Sequence, residues 1–277
     1  MKPRLDELLV QRGLCATLHD AQAAVMAGEV VVGEHRADSC GMRLAPDAKI
    51  RLKRRACPFV SRGGLKLAGA LDAFSVDVRG LRCADLGCST GGFTDCLLGR
   101  GAAHVVAVDV GRADFDWGLR RDARVTLLEN TNVRGLSAQA VGGAVGLVAA
   151  DLSFISLAAV LPDVRGLLAR GGRAVLLVKP QFELPAEMVG AGGVVRDAAA
   201  HEQALLMVAG AARRTGFRVC GLCFSPVRGR KGNIEFFIHL KSREGEPGAC
   251  ATMGAGEAGE VRAVVARAHE VLEGGAG

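Results

Sequence analysis

The chain has 277 residues, 49% hydrophobic and 23% charged, which suits one large domain and one small one. Its longest apolar stretch, around residues 140–162, is broken by Asp151 and Pro162, which argues against a membrane span there. Residues 1–62 contain 11 Lys or Arg and 7 Asp or Glu, and so carry +4 of the net charge of +6. This uneven distribution favours a polyanionic partner for the N-terminal part.

Residues 1–60 predict a small α+β domain. Residues 4–12 have the apolar spacing of an amphipathic helix, and a second helix is expected over 17–27, capped by Thr17. Short strands are expected at 29–33 and 49–53. A module with basic edges can bind RNA phosphates, although a solvated turn with fortuitous charge would look similar. The candidate RNA-binding residues are Arg4, Arg12, Arg51, Lys53, Arg54, Arg55 and Arg62.

From residue 61 the pattern alternates between strands and helices. Helices are expected at 64–74, 91–100, 113–121, 156–169 and 198–215, and strands at 81–86, 103–109, 125–129, 145–151, 173–178, 217–224 and 234–240. This alternation predicts a mostly parallel, doubly wound α/β sheet, a Rossmann-like domain over 61–240. Residues 241–277 are predicted to form a linker and a tail, with a short amphipathic helix at 260–273.

A glycine-rich turn follows the strand that contains Asp85. The spacing of Gly87, Gly91 and Gly92 departs from the pattern of dinucleotide-binding turns, and the next strand ends in Asp109, a carboxylate suited to ribose hydroxyls. Together these features indicate a pocket for S-adenosylmethionine (SAM), whereas either feature alone would fit a structural turn about equally well. The candidate cofactor-binding residues are Asp85, Gly87, Ser89, Gly91, Gly92, Phe93, Asp109, Asn132 and Asp151.

Four charged residues are the candidate catalytic group. Asp151 and Lys179 end two neighbouring strands, Lys66 lies on the helix before the sheet, and Glu235 begins the last strand. We expect them to converge on one hydroxyl, since a ribose 2′-hydroxyl is a poor nucleophile that needs polarising or deprotonating. A lysine partly withdrawn from water beside a second cation gives up its proton more readily, which suits Lys179 as the base. A surface or salt-bridged charge is the alternative for each residue alone.

Several motifs together resemble one known family. They are Ser61-Arg62-Gly63-Gly64-Leu65-Lys66, Asp85-Leu86-Gly87, Ala107-Val108-Asp109-Val110-Gly111, Asp151-Leu152-Ser153-Phe154, Lys179-Pro180-Gln181-Phe182-Glu183 and Lys231-Gly232-Asn233-Ile234-Glu235. In this order, over roughly residues 1–240, they resemble the TlyA family of rRNA cytidine 2′-O-methyltransferases, also called hemolysin A.

The resemblance implies an N-terminal RNA-binding domain of the ribosomal-protein type and an FtsJ-like SAM-dependent methyltransferase domain. It also implies a Lys-Asp-Lys-Glu tetrad at Lys66, Asp151, Lys179 and Glu235, with cytidine in ribosomal RNA or ribosomal subunits as the substrate. An RNA-binding assembly factor without turnover, a membrane-lytic protein and a methyltransferase for proteins or small molecules are the alternatives.

The cysteines and the N-terminal sequence predict a cytoplasmic protein without a membrane partner. Nine cysteines without an apolar signal region indicate reduced thiols. Cys220 and Cys223 form one CxxC without a second pair at zinc spacing, so we expect no metal site there.

Overall fold

The structure is a computed structural model that describes residues 2–15, 17–26, 28–52, 57–112, 114–243 and 255–273. The chain divides into two compact units, Met1–Pro58 and Phe59–Gly277. This border lies close to the one expected at residue 60. The second unit extends beyond residue 240, however, because its C-terminal helix packs within it.

The first unit contains two helices and a three-stranded antiparallel sheet. Its elements are α1 (Leu5–Gln11), α2 (Leu18–Met26), β1 (Val30–Val32), β2 (His35–Arg36) and β3 (Ile50–Leu52). The central strand β1 pairs with both neighbours. Leu5 and Leu9 are fully buried against Ala21 and Val30, which is the apolar face that the helical spacing predicts. Thr17 caps α2 as expected, since its hydroxyl accepts a hydrogen bond from the Asp20 amide at 3.1 Å.

The second unit is a seven-stranded sheet with helices on both faces. Its strands are β4 (Arg82–Leu86), β5 (His104–Val108), β6 (Val125–Leu128), β7 (Val145–Ala150), β8 (Leu168–Val178), β9 (Phe217–Phe224) and β10 (Phe236–Ser242). Its helices are α3 (Arg62–Ala73), α4 (Gly92–Gly99), α5 (Trp117–Arg120), α6 (Leu161–Leu167), α7 (Pro180–Glu183), α8 (Ala198–Arg214) and α9 (Ala255–Glu273). The predicted Rossmann-like α/β fold is confirmed.

The strand order β6-β5-β4-β7-β8-β10-β9 places a topological switch between β4 and β7. Only β10 runs against the other strands, as its antiparallel pairing with β8 and β9 shows. The carboxyl ends of β4, β5, β7 and β8 therefore meet at the same edge as the beginning of β10. Ligands bind at this edge, beside the switch, in open α/β sheets.

Two predicted helices differ from the structure. The helix expected over 113–121 is reduced to α5, because the Asp116 side chain accepts hydrogen bonds from the amides of Gly118 and Leu119 and so begins the helix there. Ala113 lies outside the described residues. The helix expected over 156–169 is a short 3₁₀ turn at Leu157–Ala159 followed by α6, because Ser156 caps the turn and Pro162 favours a new helix start.

Residues 241–277, expected to form a linker and a tail, contain further parts of the fold. Lys241 and Ser242 continue β10, and α9 packs against α8 and β9. Val261, Val265 and Ala268 of α9 are buried in the main hydrophobic core. Within the described residues, no helix is long and apolar enough to cross a membrane.

Gly92 allows the first turns of α3 and α4 to approach each other closely. A Cβ atom at Gly92 would lie 2.3 Å from the Ser61 Oγ and 2.9 Å from the Gly64 amide nitrogen. Since α3 contains Lys66, this approach also determines where that lysine stands. The glycine therefore serves helix packing.

We expect Gly92→Ala to lower the free energy of unfolding by about 1–3 kcal/mol, because the added methyl group has no space. Urea unfolding of the purified variant measures this. Gly99→Ala is the matched control on the same helix, where an added Cβ meets nothing within 4 Å. Equal stability of the two variants would contradict the close packing.

Candidate active site

The four predicted catalytic residues form one chain of charges at the sheet edge. The Lys66 Nζ lies 2.5 Å from the Glu235 Oε2 and 4.0 Å from the Asp151 Oδ2. The Lys179 Nζ lies 2.6 Å from the Asp151 Oδ1. Asp151 and Lys179 follow β7 and β8, and Glu235 immediately precedes the antiparallel β10. The structure brings all four side chains together.

Burial makes these charges strongly interdependent. Glu235 and Lys179 are buried, and the pKa of Glu235 is raised by that burial, although the Lys66 ammonium opposes the effect. A buried charge without a partner is expensive, so each member of the chain stabilises its neighbours. The arrangement ends at Ser153, whose hydroxyl accepts a hydrogen bond from Lys179 at 2.8 Å.

Two adjoining cavities open beside this chain of charges. The larger, about 490 Å³, is lined by all four catalytic candidates, and the smaller, about 330 Å³, extends toward the end of β5. Both share the walls Gly87, Ser89, Asp151, Ser153 and Phe154. A molecule in one cavity can therefore contact a molecule in the other across Asp151.

The smaller cavity contains several of the predicted cofactor-binding residues. Gly87, Ser89, Asp109, Asn132 and Asp151 line it. The Asp109 carboxylate accepts hydrogen bonds from the amides of Ser89 at 2.9 Å and of Gly111 at 3.0 Å, which joins the turns after β4 and β5. A carboxylate can accept about four hydrogen bonds, so Asp109 keeps capacity for ligand hydroxyls.

Gly87 adopts a positive φ of 80°, and a Cβ atom there would lie 2.6 Å from the Asp151 carbonyl oxygen. Only glycine lets the turn after β4 pass this close to the end of β7. Gly87 thus lets the turn after β4 contact the backbone at Asp151.

The remaining cofactor candidates line neither cavity; they are Asp85, Gly91, Gly92 and Phe93. Asp85 is fully buried, and its Oδ2 accepts a hydrogen bond from the Thr94 hydroxyl at 2.7 Å. Burial raises the pKa of Asp85 to about 7. This hydrogen bond connects β4 to α4, while the Asp85 Oδ1 has no hydrogen-bond partner in the described part of the chain. Contact of Asp85 with the cofactor stays a prediction.

The candidate RNA-binding residues differ in whether their side chains are exposed or already bonded within the protein. Arg4 pairs with Asp6 at 2.8 Å, and Arg12 donates hydrogen bonds to the carbonyl groups of Pro46 and Ala48, so both also serve the fold of the first unit. Arg51 and Arg62 are exposed. Lys53, Arg54 and Arg55 lie outside the described residues.

Phe154 is not among the candidate site residues predicted from the sequence. Its side chain is 91% exposed although it is a large apolar residue, and its φ of +63° is rare for a residue other than glycine. The ring centroid lies 5.1 Å from that of Phe182, and both rings line the larger cavity. An apolar residue after the end of a strand gives no signal of such exposure in the sequence alone.

Comparisons with known proteins support the fold and identify the family. Residues 59–242 match the model of the FtsJ-like methyltransferase family. The chain is 46% identical over 250 residues to the 16S/23S rRNA (cytidine-2′-O)-methyltransferase TlyA of Mycobacterium tuberculosis, covering 87% of this chain and 91% of the relative. It is also 34% identical to Hemolysin A of Brachyspira hyodysenteriae, over 86% of this chain and 99% of that protein.

A solved structure from Streptococcus thermophilus, provisionally described as a hemolysin, shares 40% identity with a TM-score of 0.73. It covers 99% of this chain, and this chain covers 98% of it. Because the matched residues include all seven strands of the sheet, the chain belongs to the FtsJ-like methyltransferase family.

Proposed function

We propose that this protein transfers a methyl group from SAM to the ribose 2′-hydroxyl of cytidine in ribosomal RNA, in the cytoplasm. The observation that carries the proposal is the chain of four charges, Glu235, Lys66, Asp151 and Lys179, beside two adjoining cavities. The names of the M. tuberculosis relatives support rRNA cytidine as the substrate.

The smaller cavity fits SAM by its chemistry. Asp109 and Asp151 are the charged residues that line it, and this acidic lining favours a cationic ligand over the phosphates of a dinucleotide. Asp109 immediately follows β5, where a carboxylate can accept hydrogen bonds from ribose hydroxyls. When bound, SAM supplies an electrophilic methyl group.

The larger cavity then receives the nucleotide. We assign Lys179, in its uncharged amine form, as the group that accepts the proton of the 2′-hydroxyl when that oxygen takes the methyl group that SAM would supply. The ammonium that results is stabilised by Asp151 at 2.6 Å. Lys66, held by Glu235, supplies a second positive charge at the developing oxyanion.

Phe154 provides a flat apolar surface for the base of the target nucleotide. Its exposed ring and Lys179 line the same cavity. Its left-handed backbone costs about 1–3 kcal/mol and persists only where the surroundings enforce it. Stacking of a base on an aromatic ring contributes about 1–3 kcal/mol. The exposure of this ring is therefore well suited to holding a nucleotide withdrawn from its helix.

We expect Phe154→Ala to raise the KM for RNA about 10-fold or more, since it removes one stacking contact. The affinity for SAM should fall by a smaller factor, because Phe154 also lines the smaller cavity. Steady-state methyl transfer at varied RNA concentration measures the first quantity, and calorimetry measures the second. Met207→Ala, which removes another exposed apolar side chain from α8, serves as the control. An unchanged KM would contradict the stacking role.

The experiment that tests the function is transfer of tritiated methyl groups from SAM to separated, unmodified small and large ribosomal subunits. Label in the RNA of either subunit, lost after nuclease digestion, is the expected result. The distribution of label also identifies the substrate subunit. No labelling by a protein that binds SAM would contradict the proposal and favour an assembly factor or another substrate.

A further inference from the structure

The segment between β9 and β10 encloses the carboxylate of Glu235. The Ser225 amide donates a hydrogen bond to the Glu235 carbonyl at 2.8 Å, and the Gly229 amide donates one to the Asn233 carbonyl at 2.9 Å. A Cβ atom at Gly229 would lie only 2.0 Å from the Glu235 Oε1. The backbone at Gly229 therefore covers this carboxylate directly, and a shift of that backbone would move or expose it.

Arg228 joins this segment to the C-terminal helix. Its Nη1 donates a hydrogen bond to the Gly232 carbonyl at 3.4 Å, and its Nη2 donates one to the Leu272 carbonyl at 2.5 Å. The last carbonyl groups of a helix lack partners within the helix and carry partial negative charge, so a guanidinium is a suitable cap. One side chain thus fixes both the cover of Glu235 and the end of α9.

The helix α9 is itself firmly attached to the sheet domain. Its apolar face is buried in the main core, and the His269 ring contacts the buried His201 of α8, with 3.0 Å between the His201 Nδ1 and the His269 Nε2. His269 also contacts Glu273, one residue beyond Leu272, at 3.0 Å. The end of α9 is therefore a fixed point from which Arg228 can hold the segment.

We propose that Arg228 is a positioning residue for methyl transfer, and that α9 is a structural part of the active site. The effect passes from Leu272 through Arg228 to the backbone at Gly229, and from there to Glu235 and its partner Lys66. This inference rests on the proposed function, because it concerns the placement of the charges that activate the hydroxyl. It assigns to the C-terminal helix a role in the chemical step.

We expect Arg228→Ala to lower kcat about 10-fold, since small misplacements in an active site reduce the rate strongly. The KM for SAM should stay within about twofold, because Arg228 lines neither cavity. Arg228→Lys should recover only part of the rate, because an ammonium can keep one of the two contacts but lacks the two-pronged guanidinium that bonds both. Arg267→Ala is the matched control, since this arginine lies on α9 and pairs only with Glu270 among the described residues.

A double-mutant cycle separates positioning from a general loss of structure. If Arg228 acts through Glu235, then Arg228→Ala should cause little further loss of kcat in a Glu235→Gln background. Rates are normalised to the fraction of protein that binds SAM, so unfolded protein does not count. Undiminished kcat in Arg228→Ala, or fully additive losses in the cycle, would overturn the inference. Absence of methyl transfer by the unaltered protein would instead contradict the proposed function.

Discussion

Lys179→Ala is expected to lower methyl transfer to ribosomal RNA about 1,000-fold, within the range that general acid–base catalysis contributes. The variant should still bind SAM, because Lys179 lines the larger cavity and not the smaller one. Single-turnover transfer of labelled methyl groups measures the rate, and calorimetry measures SAM binding. Lys241→Ala is the control for loss of a lysine, because Lys241 lies at the end of β10 that is far from Glu235.

Lys179→Arg distinguishes a base from a simple positive charge. A guanidinium can keep the ion pair with Asp151, but it does not lose a proton under physiological conditions. We therefore expect this variant to be about as inactive as Lys179→Ala. Retention of a tenth or more of the wild-type rate would assign Lys179 an electrostatic role in place of proton transfer.

Asp151→Asn should have the second largest effect, a loss of about 100-fold in transfer rate together with weaker SAM binding. Asp151 lies between both lysines and lines both cavities, so one substitution alters the catalytic and the cofactor side together. The free energy of unfolding should also fall by about 3 kcal/mol, because two poorly solvated ammonium groups lose their shared carboxylate.

Urea unfolding and methyl transfer measure the two consequences of Asp151→Asn separately. Asp72→Asn is the matched control, since this aspartate forms an exposed pair with Arg100 on the surface. Such a pair contributes at most about 1 kcal/mol. An Asp151→Asn protein with normal activity would contradict the assignment of the tetrad.

Much of the site was predictable because polar residues follow buried strands in the sequence. Asp109, Asp151 and Lys179 each come after an apolar run, and parallel strands bring their carboxyl ends to one edge. Glu235 lies at the same edge because β10 runs antiparallel to β8. The alternating sequence pattern of a strand does not show its direction, so this part of the site depends on the three-dimensional fold.

Other features depend on contacts between distant parts of the chain. The role of Gly92 in helix packing requires knowing that α3 crosses it, and the burial of Asp85 depends on Thr94 of α4. The start of α9 at Ala255 lies in a stretch that we expected to be a linker. The link from Arg228 to Leu272 spans 44 residues, so no local pattern could indicate it.

The most direct test of the account is mass spectrometry of nucleosides from ribosomal subunits incubated with the protein and SAM. The chain of charges around Asp151 is suited to activating a ribose hydroxyl, so we predict that 2′-O-methylcytidine accumulates. Lys179→Ala should produce none above background. A nucleoside methylated on the base, with an unmodified ribose, would contradict the central claim that these four residues act on the 2′-hydroxyl.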